Sequence, residues 1–123
     1  MEMWELIRRL LGAATPNQSF SPRIVAEAYL RSLRSAGESD LPDSDEIVEI
    51  AEELSGGLED IGLIIDAPQP KPGIAMLNRK TRTLFGDELY QRLQGANVVT
   101  LFESMLVDLD PDQIRQVLHQ LDS

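Results

Sequence analysis

The chain has no cysteine among its 123 residues. That removes disulfides, thiol nucleophiles, iron–sulfur clusters and thiolate zinc sites in one step, and it fits a reducing compartment. Histidine occurs once, at His119, so a histidine-rich transition-metal site is not available within one chain. Long apolar runs are also missing. The stretch Leu10 to Ala14, which follows Arg8-Arg9 in the manner of a leader, ends after five residues at Thr15-Pro16. A secretory segment needs roughly 7 to 15 apolar residues and a membrane-spanning helix roughly 20. Glu2 and Glu5 are out of place in a basic leader, so the expectation is a cytoplasmic protein with no membrane association. Four catalytic signatures are absent: the G-x-S-x-G elbow, the Walker A loop, G-x-G-x-x-G and H-E-x-x-H. Neither an enzyme nor a cofactor is expected.

What is present is an ordinary globular composition, 42% hydrophobic and 26% charged, in a length that suits a single domain over residues 1–123. The net charge of -10 is unevenly spread. Residues 1–37 hold five Arg against three Glu. Residues 38–66 hold eleven Asp or Glu and no Lys or Arg, residues 67–94 five basic against two acidic, and residues 95–123 one against five. An acidic block therefore sits between two mildly basic segments. Such a balance opposes encounter with nucleic acid or anionic membranes and favours basic partners.

Periodicity and capping residues predict five or six helices. The first covers about Glu2 to Leu11, with Met3, Leu6, Ile7, Leu10 and Leu11 as its apolar stripe, Trp4 beside it and Gly12 as its stop. Ser21-Pro22 starts the second, which runs to Ala36 with Val25, Ala26, Tyr29, Leu30 and Leu33 inward. Asp43 and Glu46 have capping-box spacing and open a third that reaches Ser55, before Gly56-Gly57. From Ile61 the pattern turns extended, although Leu58 to Ile65 also suits a helical turn. The prolines at 68, 70 and 72 forbid helix. Residues 73–77 and 83–85 then read as the strands of a hairpin around a polar turn at 78–82. Helices are expected again over Asp87–Gln94, Asn97–Leu109 and Pro111–Leu121, the last announced by Asp110-Pro111 with Gln113. The fold class is α+β and mainly helical, with a small antiparallel hairpin, or three short strands, in the middle.

Three surfaces invite function. Helix three carries Glu46, Glu49, Glu52 and Glu53 with no basic residue to pair them at i,i+4, which reads as a solvated face or as a docking surface for a basic protein. The predicted helix 97–109 is apolar most of the way round, so Val98, Val99, Phe102, Met105 and Leu106 must be buried in the core or in a homodimer. Lys71, Arg79, Lys80 and Arg82 cluster around the predicted hairpin, and helices two and three followed by a hairpin have the element order of a winged helix. In that order helix three would enter the major groove, and Glu49, Glu52 and Glu53 would face phosphates. Asp108, Asp110 and Asp112 alternate as in a calcium loop, but Gln113 and His119 stand where that loop needs Gly and Glu. The expected function is a non-catalytic regulatory or adaptor module that binds another protein. The alternative is a nucleic-acid-associated regulator that uses the basic hairpin.

Overall fold

A computed structural model describes residues 1–68 and 78–122. The elements are α1 (Met3–Ala13), α2 (Pro22–Ser35), α3 (Ser44–Asp60), β1 (Ile64–Asp66), β2 (Lys80–Arg82), α4 (Leu84–Leu93), α5 (Val98–Ser104) and α6 (Pro111–Leu121). The fold is α+β and mainly helical, with one two-stranded antiparallel sheet among the described residues. No helix among them is long and apolar enough to cross a membrane.

Helix α1 is the centre of the molecule. Trp4, Leu6, Ile7, Leu10 and Leu11 are fully buried, and α1 packs against α2, α3, α4 and α5. A helix of 11 residues is marginal alone in water, so this packing is what holds it. Its first turn is satisfied from outside. Glu2, the N-cap, makes no side-chain cap, but the Trp4 N–H donates to the Glu103 carboxylate of α5 and the Glu2 N–H to the Tyr29 hydroxyl of α2 at 3.1 Å. An acid at a helix N-terminus is also favoured by the helix dipole. Helices α2 and α3 pack side by side. Ser21 accepts from Ile24 N–H and Asp43 from Glu46 N–H, the two caps read from the sequence.

Several boundaries differ from the sequence expectation, each for a physical reason. Helix α1 runs through Gly12 to Ala13, because Tyr90 of α4 lies against Gly12: a Cβ there would sit 3.2 Å from the Tyr90 hydroxyl oxygen. Helix α3 continues past Gly56-Gly57 to Asp60 and stops before Gly62, whose φ is +79°. Two helical glycines cost roughly 2 kcal/mol together, and full burial of Leu58 returns roughly 1.5 to 3. The stretch from Leu58 to Ile65 is thus divided, helical to Asp60 and extended from Ile64.

The hairpin is corrected. Residues 80–82, expected in its turn, form strand β2 and pair with β1 in the register Ile64↔Arg82, Ile65↔Thr81 and Asp66↔Lys80. Residues 83–85 are not a strand: Thr83 caps α4, its hydroxyl accepting from Gly86 N–H at 3.0 Å and donating to the Gly62 carbonyl at 2.6 Å. The expected strand at 73–77 lies outside the described residues.

The predicted helix 97–109 is also corrected, since α5 ends at Ser104. Leu106 adopts a left-handed φ of +53°. Its N–H donates to Glu103 O and that of Val107 to Phe102 O, the double bond of a Schellman stop, without the usual glycine. Tertiary contacts enforce the turn: Val107 is buried, and its carbonyl accepts from Trp4 Nε1 at 2.9 Å. In α6, Asp110 caps Asp112 N–H as expected, but Gln113 reaches Asp108 N–H rather than closing a box on Asp110.

Candidate functional site

Helix α3 turns by about 100° per residue. Asp45, Glu46, Glu49, Glu52, Glu53, Glu59 and Asp60 therefore fall within an arc of about 140°, opposite the buried Ile47, Ala51, Leu54 and Leu58. All seven are exposed. Glu59 shares Lys80 with Asp66, and none of the other six forms an ion pair with a Lys or Arg among the described residues. Crowding of like charge is visible at the helix start. The neighbouring Asp43 raises the Glu46 carboxyl above the ordinary glutamate range, through a carboxyl–carboxylate hydrogen bond and then by repulsion.

The loop after α5 borders this face. Leu109 Cδ1 would lie 2.8 Å from a Cβ at Gly57, and Gly57 is at the edge of the acidic arc, one turn beyond Glu53. Of the five residues expected in self-association, Phe102 is buried and stacks edge-on against Trp4 at 4.7 Å, while Val98 and Val99 are half-buried against the core. Only Met105 and Leu106 are exposed, Leu106 at 82%. The structure thus separates those five into three that hold α5 down and two that stand in solvent.

The basic residues of β2, and Arg79 just before it, are engaged inside the fold. Lys80 bridges Glu59 and Asp66, and the hydrogen bond it donates to the Asp66 carboxylate leads the effects that raise its ammonium above the usual lysine range. Arg82 donates to the Leu11 carbonyl at 2.7 Å and pairs with Asp87 at 3.2 Å, its guanidinium lying 4.2 Å over the Tyr90 ring. Arg79 donates to the carbonyls of Pro16 and Pro68. These cations tie the strand to α1, α3 and α4. Lys71 lies outside the described residues. His119 is exposed on α6 as read, and no group of three or more His, Asp or Glu among the described residues could hold a metal ion.

A feature that sequence reasoning missed is an open groove of about 450 Å³ between α1 and α2, with Tyr90 of α4 at one side. Its walls come from segments as far apart in sequence as Arg8 and Tyr90, and no local pattern signals it. No protein-family model, no curated protein and no solved structure matches the chain.

Proposed function

We propose that the chain is a non-catalytic, cytosolic regulatory or adaptor module that docks a basic protein on the outer face of α3, with Met105 and Leu106 as the apolar anchor beside it. The observation that carries this reading is the approach of Leu109 to Gly57, which brings to the edge of the acidic face the segment after α5 that also holds the exposed Met105 and Leu106. Interfaces draw specificity and association rate from charge and much of their affinity from a few desolvated apolar anchors. The two exposed apolar side chains at the end of α5 are too little for a stable homodimer through that helix, since such an interface buries about 800 Å² per partner. We therefore expect a monomer of 13.7 kDa in sedimentation equilibrium rather than the dimer that a longer apolar helix would imply. The alternative reading through Arg79, Lys80 and Arg82 is not favoured, since these cations already have partners within the fold.

The test is capture from the native host's extract by the immobilised chain, compared across variants. Glu49→Lys with Glu52→Lys and Glu53→Lys should weaken capture of the authentic partner and reduce its salt dependence, since reversed charge slows encounter. A partner held equally by wild type and triple variant would overturn the acidic face as the docking surface. Mobility-shift assays with random DNA and RNA at about 50 mM salt, where electrostatic binding is strong, should show no shift. A shift lost on Arg79→Ala would move the function to the basic strand.

Leu106 allows stability and binding to be separated. A left-handed conformation costs a non-glycine residue roughly 1 to 2 kcal/mol, of which glycine's own entropy returns a part. With 82% of Leu106 exposed, little packing is lost on truncation. Leu106→Gly should raise stability by about 0.5 to 1 kcal/mol in a urea titration while weakening partner capture. A variant that is stabilised and binds as before would show that Leu106 is not an anchor.

A further inference from the structure

The groove between α1 and α2 has an apolar floor formed by Gly12, Ala13, Val25 and Ala28, and Ile24 stands on its rim 66% exposed. Its volume is within the roughly 300 to 1,000 Å³ range of small-molecule sites. Acidic residues outnumber basic ones 21 to 11 in the chain, yet the groove is lined by two arginines, Arg8 and Arg9, and by no carboxylate.

The two arginines differ in what they have left to offer. Arg8 is consumed: its Nε and Nη2 donate to Glu5 and its Nη1 to Gln94. Burial pushes the Glu5 carboxyl up, but the hydrogen bond and charge of Arg8, joined by Arg9, outweigh it and hold the group below the usual range. Glu5 therefore stays ionised and neutralises one arginine. Arg9 gives Glu5 only its Nε, at 3.3 Å, and rests 4.8 Å over the Tyr29 ring. The Nη1 and Nη2 edge of Arg9 makes no hydrogen bond to a described residue. Two parallel N–H donors on one guanidinium edge match the two oxygens of a carboxylate. The Tyr90 hydroxyl, also on the groove wall, makes no hydrogen bond to a described residue either.

We infer that this groove binds a small amphiphilic carboxylate, its aliphatic chain along the floor between α1 and α2 and its head group on the free edge of Arg9. The site shares no residue with the α3 face and stands independently of the docking function. The net charge of -10 makes the inference sharp, because the long-range field of the whole protein favours a cationic amphiphile over an anionic one. Only the local wall favours the anion.

The experiment is a titration of the ¹⁵N-labelled full chain with decanoate and, separately, with decyltrimethylammonium, followed by amide shifts. Decanoate should give saturable shifts at millimolar concentration at Gly12, Ala13, Ser21 and Ala28, and the cation should bind there more weakly. Arg9→Gln should weaken decanoate about five- to tenfold, the scale of a charge-assisted hydrogen bond in a partly exposed site. Ile24→Ser, at an exposed position that cannot unfold the domain, should weaken both amphiphiles alike. Absence of saturable shifts, equal affinity for the two head groups, or an Arg9→Gln variant with unchanged affinity would each overturn the assignment.

Discussion

Alanine at Gly86 is expected to lower the melting temperature by at least about 12 °C, from an overpacking cost of about 3 kcal/mol or more and roughly 4 °C per kcal/mol for a domain of this size. Gly86 lies in the first turn of α4, and a Cβ there would sit 1.9 Å from the Leu63 carbonyl oxygen. That atom is main chain, so no rotamer change relieves the clash. The surroundings are fixed as well: Leu63 is fully buried, and its carbonyl accepts from the Thr83 N–H at 3.0 Å. Inserting the methyl group therefore separates α4 from the segment joining α3 to β1, and the Thr83 cap with it. Gly56 is the control. It lies within α3 with open space where its Cβ would be, so Gly56→Ala should stabilise by about 0.5 to 1 kcal/mol through helix propensity and a less free unfolded chain. Thermal unfolding followed by circular dichroism measures both. A Gly86→Ala protein that melts like wild type would mean that α4 does not rest on the Leu63 carbonyl.

The same glycine illustrates what could and could not be read in the sequence. Helix starts were legible where a short polar side chain precedes an apolar period, and Ser21, Asp43 and Asp110 all cap the helices they announce. Thr83 is an equally good cap, but Leu84 and Phe85 after it resemble a strand, and their helical state depends on Thr83 and Gly86 meeting Gly62 and Leu63, about 20 residues away. Stops were less legible. Gly37 marks the end of α2 with φ +76°, whereas the left-handed stop after α5 is a leucine, Leu106, because Val107 is drawn into the core and onto the Trp4 indole. The pairing of Ile64–Asp66 with Lys80–Arg82 was hidden for a related reason: strands of three residues carry too little alternation to declare their partner.

The candidate surfaces divide along the same line. The acidic face of α3 follows from helical period alone, and its residues emerge on one side as the spacing requires. The isolation of Met105 and Leu106 from Val98, Val99 and Phe102 depends on where α5 stops. The commitment of Arg79, Lys80 and Arg82 to internal partners depends on three other helices and the loops between them. Neither is encoded in a local window.

Trp4 joins these distant parts, and its removal carries the second large expected effect. The side chain is fully buried, stacks on Phe102 at 4.7 Å and donates Nε1–H to Val107 O at 2.9 Å. Truncation of a buried tryptophan to alanine costs roughly 3 to 5 kcal/mol, against a total of roughly 5 to 15 for a domain. Trp4→Phe keeps a ring against Phe102 but leaves the buried Val107 carbonyl without this donor, which costs roughly 1 to 3 kcal/mol. Urea denaturation should therefore rank wild type above Trp4→Phe above Trp4→Ala. The loss should also be local in its first stage. Trp4 holds α5 and the turn after it, whereas α2 and α3 pack on each other directly, so hydrogen exchange in Trp4→Phe should accelerate first over residues 98–107. Because that segment includes Met105 and Leu106, capture of a partner by the acidic face and its apolar neighbour should weaken in Trp4→Phe at temperatures where the rest of the chain remains folded. Uniform acceleration across all helices would instead place α5 in the same cooperative unit as α2 and α3, and the anchor would then be rigid up to global unfolding.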